Sequence, residues 1–263
     1  MSTIVVETHG DVVHVINNNP ASRNSLSYDF IVGFRDLLRG FAQSNHAPRA
    51  VVLSGAEGFF CSGGNLDGLK ERSEGDYAKR RSNVDRLHGM IRAMRDCPCP
   101  IIAAVEGGAA GAGVAIAMAC DLVVATEPSY AAVTYVRIGI TPDGGTTSLL
   151  LDALPRWLVA ELLFTGDKIP LTRLHAMGAV NRIVREGDAV EEALKLASRL
   201  AHGPKEAIAQ TKKLLSSARS ASLEAQLDRE AHCVAEALGS EDGREGINAF
   251  LEKRKPVFYN PNE

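Results

Sequence analysis

Gly107-Gly108-Ala109-Ala110-Gly111-Ala112-Gly113 follows the strand-like run Ile101-Ile102-Ala103-Ala104-Val105 and leads into Val114-Ala115-Ile116-Ala117-Met118-Ala119-Cys120. A second stretch of the same kind, Phe59-Phe60-Cys61-Ser62-Gly63-Gly64-Asn65-Leu66, follows the apolar run Ala50-Val51-Val52-Leu53. Small residues between a strand and an apolar helical run leave backbone N–H groups bare at a helix start. Free donors and the helix dipole both favour a negative oxygen there. Either loop alone is also what a tight turn requires, because glycine supplies positive φ. A pair, each behind its own strand, points to two donors converging on one carbonyl oxygen, the arrangement that stabilises an oxyanion. The glycines run Gly108-x-x-Gly111-x-Gly113, the reverse of the dinucleotide fingerprint, and no Gly-Lys-Ser/Thr follows either loop. Rossmann and P-loop nucleotide sites are therefore not expected.

With 263 residues the chain is long enough to bury a full-sized core, as one large domain with an appendage. A formal charge of −3 gives no global attraction to nucleic acid or to acidic membranes. No signal-peptide pattern opens the sequence, and no apolar run approaches ~20 residues, so neither export nor a membrane span is expected. The five cysteines are scattered; Cys97-Pro98-Cys99-Pro100 is not C-x-x-C, and the histidines form no H-x-x-x-H pair. A cytoplasmic protein without a metal is the expectation.

Ile4-Val5-Val6 and Val12-Val13-His14-Val15-Ile16 flank His9-Gly10-Asp11 as a hairpin would. A helix capped by Ser25 or Ser27 carries Phe30, Phe34 and Leu38 on one face. Residues 66–80, charged and interrupted by glycine, read as a mobile loop or ragged helix. Leu122 to Ala125 and Asn181 to Val184 read as strands, Tyr130 to Val133 as a further short one, and 146–153 and 156–164 as helices. From about residue 188 helical stripes take over, the last of them through Leu223, Leu227, Ala231, Val234 and Leu238. An alternating α/β core followed by a helical tail results. The division is placed at 1–195 for the core and 196–263 for the tail.

At these residues the chain resembles the crotonase, or enoyl-CoA hydratase/isomerase, superfamily. Phe60 to Leu66, Pro100 to Gly107, Ala110 to Gly113 with Ala119-Cys120-Asp121, Leu163 to Asp167 and Phe250 to Phe258 match in family order. The resemblance implies the crotonase-like (ClpP/crotonase) spiral of ββα units with a C-terminal helical trimerisation region. It also implies a homotrimer or dimer of trimers. The substrate would be an acyl-CoA thioester, with coenzyme A part of the substrate and no separate cofactor. Its carbonyl would sit on the backbone N–H groups of Gly64 and Ala112. CoA would lie along Ala21 to Asn24 and the Phe60–Leu66 loop, contacting Ser22, Arg23, Asn24, Ser62, Gly63, Asn65 and Leu66. Adenine would approach the carbonyls at 22–24, and Arg23 a phosphate.

Departures from the family pattern are as informative. Hydratases of the family resemble one another in two glutamates; Ala115 and Tyr135 stand at those positions here. Adding water needs a carboxylate pair to activate the nucleophile and deliver the proton, and Ala115 can do neither. One carboxylate remains, in Pro142-Asp143-Gly144-Gly145, where some family isomerases, including the 1,2-epoxyphenylacetyl-CoA isomerase branch, carry a single acid. Moving a double bond from β,γ to α,β needs only one base and an oxyanion hole. Pro-Asp-Gly-Gly is equally a generic turn. An enoyl-CoA isomerase using Asp143 is the leading expectation. A hydratase with a relocated base, another crotonase reaction and a non-catalytic acyl-CoA-binding homologue are the alternatives.

Overall fold

The first two apolar runs become Ile4–His9 (β1) and Val12–Asn17 (β2), an antiparallel hairpin turning at Gly10 with φ +62°. The structure is a computed structural model that describes residues 2–44 and 47–259, without the side chains of Leu66 and Asp67. Of the two serines expected to cap the first helix, Ser27 does so. Its hydroxyl accepts from the Phe30 N–H at 3.0 Å, starting Tyr28–Gln43 (α1). Ala50–Gly55 (β3) follows.

Of the two readings of residues 66–80, mobile loop or ragged helix, the structure forms a helix broken at Gly75. Leu66–Ser73 (α2) begins at Asn65, whose side chain accepts from the Gly68 N–H at 3.0 Å. Tyr77–Asp96 (α3) begins at Asp76, which accepts from the Lys79 N–H at 2.8 Å. These two side-chain caps, on either side of Gly75, satisfy donors at both helix starts and so allow a charged, glycine-interrupted stretch to be helical.

Next come Ile101–Val105 (β4), Gly108–Ala110 (β5), Ala112–Ala119 (α4), Leu122–Thr126 (β6) and Tyr130–Ala132 (β7). A 3-10 turn at Thr134–Ile138 precedes Thr146–Ala153 (α5), Arg156–Thr165 (α6), Lys168–Pro170 (β8), Leu171–Ala176 (α7) and Arg182–Val184 (β9). The remaining described helices are Ala189–Ala201 (α8), Lys205–Ala218 (α9), Leu223–Gly239 (α10) and Glu241–Leu251 (α11). None is long and apolar enough to cross a membrane.

The large sheet has the order β1-β2-β3-β4-β6-β9, parallel except between β1 and β2; β5-β7-β8 form a small second sheet. β4-β5-α4 and β6-β7-α5 repeat one unit. The first strand of each joins the large sheet and the second the small one, which stacks the units as turns of a spiral. Alternation along the buried strands divides the core. Val51, Leu53, Ile101, Ala103 and Val105 face the main core, while Ala50, Val52, Ile102 and Ala104 face α8. Both sides of these strands are covered, which is why they read as continuous apolar runs.

α8 starts without a side-chain cap of its own. Glu106, immediately after β4, supplies one: its carboxylate accepts from the N–H groups of Gly187 at 3.2 Å and Ala189 at 2.9 Å. The boundary drawn at 195/196 therefore falls inside α8, and Leu196, Ala197 and Ala201 beyond it still pack on the sheet.

Candidate active site

Residues 60–64 run alongside residues 106–110 as if the two loops were strands. Phe60 N–H donates to Glu106 O at 3.0 Å, Cys61 N–H to Gly108 O at 3.3 Å, and Ala110 N–H to Cys61 O at 2.9 Å. Glycine is required where they touch. Gly63 has φ +88°, and a Cβ there would stand 2.6 Å from Ala110 O and 3.2 Å from Ala112 N. At Gly113 a Cβ would stand 2.4 Å from Cys61 O. Only a bare backbone allows this approach.

The approach places Gly64 and Ala112 on one cleft of about 490 Å³. Neither N–H donates to an acceptor among the described residues. Ala112 is the first residue of α4, and its N-cap Gly111 has no side chain to occupy the free donors. Two unsatisfied N–H groups, one of them at a helix start, give the cleft a place for a negative oxygen.

Asp143 lines the same cleft and is the only carboxylate among its described lining residues. Its turn is built by the backbone instead of the side chain. Gly144 and Gly145 take φ +62° and +79°, and the Asp143 carbonyl accepts from Thr146 N–H at 3.0 Å and Thr146 Oγ1 at 2.6 Å. The carboxylate is turned elsewhere, accepting the Tyr135 hydroxyl at 2.6 Å. Burial first, and the Asp143 charge second, push the Tyr135 phenol well above its ordinary range, so it stays protonated and donates. His88 of α3 holds the loop from the other side, its Nε2 accepting from the Gly144 N–H at 3.2 Å.

Tyr135, one of the two positions where the resemblance expects a glutamate, is a donor to the Asp143 carboxylate. The other of those positions is tightly packed. Ala115 is fully buried, and a Cβ built on Gly144 would stand 3.0 Å from its methyl group. A longer side chain at 115 would displace the loop that carries Asp143.

The candidate CoA residues divide. Ser22, Ser62 and Asn65 line the cleft, and Ser62 ties its two walls by donating from Oγ to Ser22 O at 2.9 Å and from N–H to Arg23 O at 3.0 Å. Arg23 is exposed, in the left-handed region at φ 51°, with its guanidinium 5.8 Å from the Phe59 ring centre. Gly63 gives its N–H to Cys61 Sγ at 3.4 Å. The Asn24 side chain is completely buried, so it supports the loop and faces away from the cleft's solvent. Its amide donates to Ala56 O at 2.8 Å and Phe59 O at 2.5 Å, and its Oδ1 accepts from Asn19 N–H at 2.9 Å. It fastens the loop that presents its neighbours. The Leu66 side chain lies outside the described residues.

Comparison with known proteins gives the following. The family described as Enoyl-CoA hydratase/isomerase matches residues 7–261. A crystal structure of an enoyl-CoA hydratase from a Polaromonas species is 38% identical, covers 96% of this chain and 98% of its own, and superposes with a TM-score of 0.92. An enoyl-CoA hydratase of Mycobacterium tuberculosis is 32% identical over 97% of this chain and 96% of its own length. A 1,2-epoxyphenylacetyl-CoA isomerase of Escherichia coli is 29% identical over 98% of both.

Proposed function

This chain belongs to the enoyl-CoA hydratase/isomerase family, and from that premise we propose that it is an enoyl-CoA isomerase whose single acid/base is Asp143. The observation that carries this reading is Asp143 as the one carboxylate among the cleft's described lining residues, with Ala115 and Tyr135 at the positions where the family resemblance expects the hydratases' glutamate pair. Relatives at about this distance are named both hydratase and isomerase, so the distinction rests on these residues.

In the reaction the thioester oxygen rests on the N–H groups of Gly64 and Ala112. Asp143 removes a proton from the α-carbon of a 3-enoyl-CoA, and negative charge spreads through a dienolate onto that oxygen. The two donors are placed for the charge as it develops. Asp143, now protonated, returns the proton to the γ-carbon, leaving the conjugated 2-enoyl-CoA and a regenerated carboxylate. Tyr135 orients the carboxylate between the two transfers. Incubation with a 3-enoyl-CoA should produce the absorbance of a conjugated thioester, and no conversion at any enzyme concentration would sink the proposal.

CoA is assigned to the edge formed by Ser22, Arg23, Ser62 and Asn65, with the exposed Arg23 guanidinium on a phosphate. Arg23→Ala should weaken CoA-thioester binding several-fold at low salt, with the difference shrinking as ionic strength rises. Calorimetry at two salt concentrations checks this; equal affinities at both contradict the phosphate role.

The assembly proposed is a homotrimer or dimer of trimers. α10 leaves Leu223, Leu227, Val234 and Leu238 exposed, and Phe250 and Leu251 at the end of α11 are exposed beside them in the sequence. A solvated apolar helix face of this kind marks an interaction surface. Light scattering at micromolar concentration should give three or six chains, and a monomer contradicts the assembly.

A further inference from the structure

The β1–β2 hairpin gathers three metal-capable side chains that the proposed reaction does not use. Antiparallel register sets Glu7 opposite His14, and His9 follows two residues along β1, on the same side of the strand. Glu7 Oε2 stands 3.6 Å from His9 Nε2 and 3.4 Å from His14 Nδ1. One ligand atom from each residue lies within 4.8 Å of the others. Ligands bound tetrahedrally to Zn²⁺ at about 2.0–2.1 Å are about 3.3–3.4 Å from one another. The two contacts to Glu7 therefore have nearly the spacing of adjacent corners of such a shell.

The most buried member is also the best supported. His14 is 5% exposed, and its Nε2 lies 2.8 Å from Ser54 Oγ on β3. With its proton on Nε2 the ring donates to Ser54 Oγ and leaves the Nδ1 lone pair facing the Glu7 carboxylate across 3.4 Å, so that a cation between them binds both; without an ion the other tautomer gives its Nδ1–H to Glu7 and accepts from Ser54. A ligating histidine whose second nitrogen is fixed by a hydrogen bond is the usual outer-shell arrangement of such sites.

An ion can also reach the position. Glu7 and His9 are half exposed, and His9 opens onto a cleft of about 450 Å³ between the hairpin and α8. The cation in that cleft, Lys195, is paired with Glu191 at 2.5 Å. No lining residue is shared with the acyl cleft. We propose that Glu7, His9 and His14 bind one divalent ion of the zinc class, with water completing the shell. The inference does not depend on the isomerase reading.

Tag-free protein stripped with a chelator and titrated with ZnCl₂ against a chromophoric competitor provides the test, with melting temperature followed in parallel. One equivalent per chain is expected, with a rise in melting temperature. Affinity should fall by at least about 10-fold in His9→Ala and in Glu7→Gln, and by about 10–100-fold in Ser54→Ala, which frees the His14 ring. His9 and Glu7 are solvent-facing, so these two variants should keep the wild-type circular dichroism spectrum. Absence of saturable zinc binding up to millimolar concentration overturns the site. So does a zinc affinity in His9→Ala equal to that of the unaltered protein.

Discussion

Asp143→Asn is expected to lower the rate of double-bond migration about 10²–10⁴-fold, the range over which a positioned general acid/base contributes. Asparagine keeps the size of the side chain, and its Oδ1 can still accept from the Tyr135 hydroxyl that now holds the carboxylate at 2.6 Å. The turn should survive as well. Its hydrogen bonds are donated by Thr146 to the Asp143 carbonyl, and Gly144 and Gly145 supply the positive φ. What asparagine cannot do is accept a proton from carbon and give it back. The signature is therefore a fall in kcat with thioester affinity and melting temperature nearly unchanged. Steady-state kinetics beside calorimetry with a saturated acyl-CoA read both. An Asp143→Asn protein with wild-type turnover returns the residue to turn formation and leaves the base elsewhere.

Gly63→Ala should cost a similar order for a different reason. The residue sits at φ +88°, and its new methyl group would press on Ala110 O and on Ala112 N, which is itself one of the two proposed oxyanion donors. Relief requires the two loops to part, and with them Gly64 and Ala112. Misplacing one oxyanion donor lowers turnover by roughly 10²–10³-fold, and the left-handed backbone adds about 1–2 kcal/mol of destabilisation. Because any thioester chemistry in this cleft uses the same oxygen site, Gly63→Ala should impair whichever reaction is assayed. Asp143→Asn should impair proton transfer alone. A folded Gly63→Ala variant with undiminished turnover would contradict the assignment of these loops as the oxyanion hole.

Features that live in short sequence windows were legible. The apolar runs of β3 and β4, the hairpin at Gly10, the α1 face and both glycine loops are local patterns, and resemblance joined them into one fold. Asp143 is legible through the resemblance, as the acid that remains beside Ala115 and Tyr135 and as the loop position where some family isomerases carry one. Contacts between distant segments were not legible. Nothing in the sequence near Asn24 shows that its amide is buried against Ala56 and Phe59, or that Glu106 caps a helix starting at residue 189. His88 carries no motif, and its role follows from where α3 lays it against the Gly144 N–H. The Glu7, His9 and His14 cluster has no helical metal-ligand spacing; strand register is what joins these residues. The caps at Asn65 and Asp76 were local signals outweighed by the glycines and charges around them.

A cleft whose described lining offers Asp143 alone beside an oxyanion hole should shift a double bond and not add water. The decisive measurement gives the purified protein a 3-enoyl-CoA and a 2-enoyl-CoA of equal chain length, in parallel, and follows absorbance and product mass. The 3-enoyl-CoA should become the conjugated isomer with unchanged mass, while the 2-enoyl-CoA gains no water beyond the uncatalysed rate, if Asp143 is the single acid/base. Rapid hydration of the 2-enoyl-CoA with no isomerisation of the 3-enoyl-CoA would contradict that assignment.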